Sequence, residues 1–234
     1  MELFVTGTDT GVGKTFVTAG LAAAIAGMGH DVMVQKWVAT GSSSQPEDLS
    51  FVKDAVFRAT GRFPGNDRRI TGDECPYCFA FPASPHLSAR LEKRAVSPDV
   101  VKECYERMKE RAGVLLIEGV GGLMVPLSDD VLLSDILSEL GIPSIVVARA
   151  GLGTINHTLL TVGFMKTLGI PVRGVILNRQ HAPADDDVEH DDIVADNRRT
   201  IERISGVPVL AVLPRSGDVM ELAGFFREVA EKLV

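Results

Sequence analysis

The sequence predicts an α/β fold: a doubly wound, mainly parallel sheet with helices on both faces. Three observations carry this. Six apolar, β-branched runs of four to eight residues are bounded by turn formers, longer amphipathic stretches lie between them, and the first run leads through a glycine-rich turn into a helix of small residues.

In chain order the runs are ELFVT (2–6), VMVQK (32–36), VLLIE (114–118), SIVVAR (144–149), VRGVILN (172–178) and PVLAVLP (208–214). They are near-continuously apolar rather than alternating, as strands covered on both faces are. Helices are expected after Lys14, where FVTAGLAAAIAGM lets a helix pack closely on a sheet, and over Glu47 to Thr60, Pro98 to Arg111, Leu132 to Leu140, Ile155 to Leu168, Asp191 to Ile204 and Val219 to Val234. Two segments break the rhythm: Arg62 to His86, with many Pro, Gly and aromatic residues, and Gln180 to Asp192, which carries Asp185, Asp186, Asp187 and Glu189. Both read as surface loops or lids. With no internal repeat and no Gly/Ser linker, residues 1–234 are expected to form one domain.

Composition narrows the function. A chain of 234 residues, 45% hydrophobic and 24% charged, can build one sizeable core. A formal net charge of −7 and a pI near 5.3 repel phosphodiester backbones, so nucleic acid is not the expected partner and any bound anion must be held locally. No apolar stretch approaches the roughly 20 residues that span a bilayer, and Met1 leads directly into a strand without a basic leader, so a cytoplasmic location is expected. Three cysteines do not form a secreted disulfide framework.

The turn GTDTGVGKT (7–15) has the setting of a P-loop, strand before and helix after, although Thr8 stands where G-x-x-x-x-G-K-[ST] begins with glycine. Gly11 and Gly13 let backbone N–H groups face inward, the helix N-terminus adds positive potential, Lys14 supplies a point charge for the outer phosphates, and Thr15 offers a hydroxyl to Mg²⁺. Guanine-specific loops carry Asn-Lys-x-Asp after a late strand, whereas here the sequence reads Asn178, Arg179, Gln180, His181, which favours ATP. Partition and septum-site ATPases place an extra lysine where Thr8 stands. Two further groups belong at carboxyl ends of strands, which in an open α/β sheet open on the ligand crevice: Lys36 in QKWVATG and Glu118 in IEGVGG, the latter a candidate Mg²⁺ ligand opposite Thr15.

Taken in order, GTDTGVGKT, KWVATG, an Asp-Leu pair opening a helix, FAFPASPH, IEGVGG, LGTINHTLLT and VILN resemble the dethiobiotin synthetase family, from Gly7 to Pro214. The resemblance implies a P-loop NTPase fold and a cytoplasmic homodimer that uses ATP, Mg²⁺ and CO₂ or bicarbonate to close the ureido ring of dethiobiotin on 7,8-diaminononanoate, through a carbamate and a carbamic-phosphoric anhydride. Nucleotide is then expected on Gly11, Val12, Gly13, Lys14, Thr15 and Phe16, with Asp48, Glu118 and Gly121 nearby, and Asn178 and Pro214 at the base. Mg²⁺ falls to Thr15, Asp48 and Glu118, and the active-site lysines are Lys14 and Lys36. The diamine falls to Thr10, Lys36, Thr40 and Ser84, with Asn156 reaching the substrate of the partner subunit. Trp37 stands where many members have Pro, and Arg179 where an Asp is common. Asp48 and Asp54 both compete for the second acidic position; Asp48 is preferred because a helix starting near Pro46 puts it in the first turn, while Asp54 lies nearly two turns deeper.

The remaining chemistry-bearing residues have plainer readings. Cys75 and Cys78 form one CxxC with no second pair, and Cys104 falls inside a predicted helix, so small buried residues are expected rather than a zinc site. His86 reads as a loop residue and His157 as a hydrogen-bonding structural histidine.

Overall fold

The computed structural model describes residues 1–43, 45–179 and 187–234, with side chains excepted at 187–190. Among these residues six parallel strands form one sheet: β1 (Glu2–Gly7), β2 (Val32–Gln35), β5 (Val114–Glu118), β6 (Ser144–Arg149), β7 (Val172–Asn178) and β8 (Val209–Leu213), in the order β2-β5-β1-β6-β7-β8. Between β2 and β5 the chain forms β3 (Val38–Thr40) and β4 (Tyr77–Phe79), which pair with each other in a separate parallel ribbon.

The two faces of the sheet carry separate cores, as period-2 side-chain alternation requires. Leu3, Val5, Val34, Val114 and Leu116 face α1 (Lys14–Gly27), α2 (Glu47–Thr60) and α8 (Ala223–Glu231), where Val17, Leu21, Leu49, Val52 and Phe226 are buried. Phe4, Met33, Leu115 and Ile117 face the other way, toward α4 (Pro98–Arg111), α5 (Leu133–Leu140), α6 (Thr154–Thr167) and α7 (Asp187–Ser205), which bring Met108, Leu137, Met165 and Ile201. Glu118 continues the Val114–Leu116 alternation, so its side chain belongs to the α1/α2 face. Register completes the placement: Val5 pairs with Glu118 and Gln35 with Ile117, which puts Lys36, one residue on, level with Glu118. The strand order runs outward in both directions from β1, so the crevice lies at the carboxyl ends of β1, β5 and β2.

Several expectations need correction. The run VMVQK ends as a strand at Gln35, leaving Lys36 just beyond it. Residues 62–86 are not a plain loop: they contain a 3₁₀ turn (Pro64–Asn66), β4 and the start of α3 (Pro85–Leu91), and Trp37 packs against Phe4 with ring centroids 5.1 Å apart. The helix expected over 219–234 is a 3₁₀ turn (Val219–Leu222), capped by the Asp218 side chain, followed by α8. The loop expected over 180–192 is helical from Asp187, consistent with the preference of acidic residues for a helix N-terminus. Asp185, Asp186 and the rest of 180–186 lie outside the described residues.

Candidate active site

The P-loop is built from backbone. Gly11 and Gly13 have φ of 75° and 96°, conformations that side chains disfavour, and a Cβ on Gly13 would lie 2.0 Å from Asn178 Nδ2. That amide, 1% exposed at the end of β7, donates to the Val12 carbonyl at 3.0 Å and braces the loop from the next strand but one. On the other side, Gly121 has φ of 60°, and a Cβ on Gly122 would stand 3.6 Å from the Gly7 carbonyl oxygen, so the segment after β5 lies against the loop backbone.

Four side chains from three elements and one turn converge beside this loop. Thr15 Oγ1, in the first turn of α1, is 3.0 Å from Asp48 Oδ1 and 2.8 Å from Glu118 Oε1. The Lys36 ammonium contacts Asp48 Oδ2 and lies 2.6 Å from Glu118 Oε1. One hydroxyl proton cannot serve two carboxylates at once, and Glu118 Oε2 is buried with no hydrogen-bond partner among the described residues, so the cluster holds more acceptor capacity than its donors use. A hydroxyl and two carboxylates are hard oxygen ligands of the kind Mg²⁺ takes, and these residues fit that ion. Asp54 is elsewhere: it pairs with Arg68 at 3.5 Å on the exposed side of α2.

The electrostatics divide the two lysines. Burial pushes Lys14 down to about 8, against the pull of Glu118; its Nζ, on a residue only 7% exposed, donates to the Asp9 carbonyl at 3.0 Å. Burial acts on Lys36 in the same direction, but Glu118 and then Asp48 outweigh it and hold the ammonium above its ordinary range. Burial likewise opposes ionisation of Asp48, and the Lys36 ammonium overcomes it, with help from Thr15 and Lys14.

A crevice of about 570 Å³ opens over the cluster, lined by Gly13, Thr15, Phe16, Glu47, Asp48, Phe51, Ser216 and Gly217. Glu47, Phe51, Ser216 and Gly217 were not expected there. Phe51 was legible in principle, since it stands three residues after Asp48 on the same helix and so shares its face. Pro214 begins the half-buried segment that leads to Ser216. Among the described residues no hydrogen bond joins Thr40, at the end of β3, Ser84, before α3, or the exposed Asn156 of α6 to the Thr15–Lys36–Asp48–Glu118 cluster. Thr10 is exposed at the tip of the loop. Cys75 and Cys78 direct their thiols to the carbonyls of Tyr77 and Ser42, and burial pushes Cys75 up to about 12. His157 is exposed, and His86 Nδ1 is buried without a hydrogen-bond partner among the described residues.

A family model described as an AAA domain matches residues 1–223. The chain is 37% identical over 218 residues to the ATP-dependent dethiobiotin synthetase BioD of Bacillus subtilis subsp. natto, covering 92% of this chain and 88% of that one. It is 39% identical over 222 residues to the protein of the same name from Anaeromyxobacter dehalogenans (strain 2CP-C), covering 94% and 93%. Among solved structures, the cell division ATPase MinD of Pyrococcus furiosus superposes with a TM-score of 0.59 at 18% identity, covering 99% of this chain and 98% of that one. A ParA family ATPase from Chlorobium tepidum TLS gives 0.52 at 15%, covering 99% and 91%. At those identities the likeness is one of fold. The similarity to the synthetases instead spans about nine-tenths of both sequences, and on it the chain belongs to the ATP-dependent dethiobiotin synthetase family.

Proposed function

We propose that this chain is an ATP-dependent ligase that closes the ureido ring of dethiobiotin on 7,8-diaminononanoate, with CO₂ as the added carbon and ADP and phosphate as the other products. The observation that carries the site assignment is the meeting of Thr15, Lys36, Asp48 and Glu118 beside a P-loop. In this reading ATP lies along Gly11 to Phe16, with its base toward Asn178 and Pro214, and Thr15, Asp48 and Glu118 hold Mg²⁺. When bound, the ion offsets negative charge on the phosphates.

The chemistry brings two anions together. One amine of the diamine takes up CO₂, forming an N–C bond and losing a proton, to give a carbamate. A carbamate oxygen then attacks the γ-phosphorus and ADP leaves. The second amine attacks the carbonyl carbon of the resulting mixed anhydride, and the ring closes as the C–O bond to phosphate breaks and the amine nitrogen gives up a proton, so phosphate and one proton leave. Lys36, held as an ammonium by Glu118 and Asp48, stands where it can offset the carbamate–phosphate repulsion, and Lys14 and the loop N–H groups offset charge on the phosphoryl oxygens. The work of the protein is positioning and electrostatics rather than a covalent enzyme intermediate.

A homodimer with Asn156 reaching across to the diamine on the partner subunit belongs to this proposal. Support comes from Leu152, just before α6, and Leu160, in its middle, which are 98% and 65% exposed and offer apolar contacts to a second copy on the helix that carries Asn156. A cytoplasmic location belongs to it as well; among the described residues no helix is long and apolar enough to cross a membrane.

The test is phosphate release from Mg-ATP with and without 7,8-diaminononanoate plus bicarbonate, in wild type and Lys36→Ala. Release that depends on the diamine and collapses in the variant is the expected result. Equal turnover without the diamine would remove the substrate assignment.

A further inference from the structure

Outside the crevice, the described residues contain one other lysine–carboxylate pair buried on both sides. Lys53 Nζ lies 2.6 Å from Glu74 Oε1, with the side chains 1% and 3% exposed. Lys53 is on α2, five residues past Asp48, about one and a half turns along the helix. Its ammonium also donates to the carbonyls of Asp67 and Arg69, at 3.1 and 2.8 Å. Glu74 Oε2 in turn accepts the Thr71 N–H at 2.7 Å.

The same segment grips the end of β2. The Glu74 carbonyl accepts the Lys36 backbone N–H at 2.8 Å, and the Asp73 carbonyl accepts Gln35 Nε2 at 2.8 Å. Gln35 Oε1 accepts Trp37 Nε1 at 3.1 Å, which fixes the amide. Residues 67–74 therefore form a strap with one end on α2 and the other on the backbone of Lys36. The strap thus joins the backbone of Lys36 to α2, the helix whose first turn carries Asp48, and the side chains of Lys36 and Asp48 meet in the crevice. Leu49 and Val52 anchor α2 in the core it shares with α1, but among the described residues no side chain caps the helix at Pro46, and the Asp48 side chain is 43% exposed, so core packing leaves the first turn itself unclamped.

A buried ion pair is not the most stable way to join two elements, because desolvation offsets most of the attraction. What it supplies over an apolar contact is direction, one register and not its neighbours. We infer that the Lys53–Glu74 pair sets the register of α2 against Lys36 and so holds Asp48 within reach of both Thr15 and Lys36, a positioning role in joint binding of metal and nucleotide. The inference rests on the reading of the crevice given under Proposed function.

The test is calorimetry of ADP binding by the full chain, in EDTA and across a Mg²⁺ titration. Lys53→Met/Glu74→Leu removes both charges and leaves neither buried alone; Glu74→Asp keeps the pair but shortens its reach by one methylene. The expected result for the double variant is a melting temperature within a few degrees of wild type, ADP affinity in EDTA within two-fold, and a half-saturating Mg²⁺ concentration raised at least ten-fold. Glu74→Asp is expected to raise it about three-fold and gives the answer alone if the double variant does not fold. An unchanged half-saturating Mg²⁺ in whichever variant folds overturns the inference, as does an equal loss of ADP affinity in EDTA, since a plain scaffold would show either. Wild-type ADP binding that ignores Mg²⁺ would instead sink the reading of the crevice itself, and the inference with it.

Discussion

Lys14 gives the sharpest pH prediction. Its ordinary value of 10.5 is pushed down to about 8, chiefly by burial, with Lys36 adding to the depression and Glu118, Asp48 and Asp9 opposing it. Phosphate oxygens bind the ammonium and not the amine. With a value near 8, about nine-tenths of the free protein carries the proton at pH 7, about half at pH 8 and about one-tenth at pH 9. The apparent Kd for metal-free ADP should therefore rise about ten-fold between pH 7 and pH 9, with uptake of roughly half a proton per ADP bound at pH 8. Calorimetry in EDTA, repeated in two buffers of different ionisation enthalpy, measures both quantities, and Lys14→Met should flatten the slope. A Kd that stays within two-fold from pH 7 to pH 9, with no proton uptake at pH 8, refutes the reasoning.

Stability carries the matching signature. Because the folded value lies below the unfolded one, the unfolded chain binds more protons between pH 8 and 10.5, and the contribution of this group to stability rises across that window. Below pH 8 it is a penalty of about 3 kcal/mol, so Lys14→Met should raise the melting temperature of the nucleotide-free protein at pH 7. Lys36 behaves oppositely: its value is raised, so its stabilisation is complete below 10.5 and is lost as pH rises through the folded value.

Three further outcomes are expected. Asp48→Asn should weaken Mg²⁺-dependent ADP binding at least ten-fold, about 1.4 kcal/mol, while Asp54→Asn, whose partner is the exposed Arg68, should stay within two-fold; calorimetry on both variants separates the two aspartates. Gly20→Ala would place a Cβ 2.1 Å from Phe226 Cε2 between α1 and α8, an overpacking cost of about 1–3 kcal/mol in urea unfolding that Phe226→Leu should partly relieve. Leu152→Glu/Leu160→Glu should shift the sedimentation coefficient to that of a monomer without lowering the affinity for ADP, because neither side chain lines the crevice.

The parts of the fold that were legible are those fixed by local pattern. VLLIE, SIVVAR and VRGVILN are strands over the ranges read from the sequence, and the helices over 47–60 and 98–111 start beside prolines that mark them. β3 and β4 were not legible, because each is three residues long and Val38 finds its partner at Tyr77, a pairing that no window spanning either strand contains. The same holds for the strap: Lys53 reads as an ordinary surface lysine of an amphipathic helix until Glu74 is brought to it by the chain folding back. In the crevice, Lys14, Thr15, Lys36 and Glu118 could be placed because strand ends and a glycine turn define positions without long-range information. Ser216 and Gly217 could not, since their place depends on how the chain leaves β8.

The likeness to MinD and ParA structures raises the question of why one fold would not carry one function, and the crevice answers it. Partition-type loops bring a second cation to the phosphates with a lysine near the start of the P-loop, the position that Thr8 occupies here. In this chain the second cation is Lys36, which arrives from the end of β2, level with Glu118. A lysine supplied from the loop can serve nucleotide alone. One supplied from the neighbouring strand end stands between the P-loop helix and the segment running on through Thr40, and in the proposed reading it serves both the phosphates and the anion that must meet them. Two lysines there stand against the two carboxylates Asp48 and Glu118, the latter only 1% exposed beside Thr15, so the charges of the cluster are matched within it. The geometry thus suits joining a second anion to a phosphate, the step a ligase needs and a nucleotide switch does not.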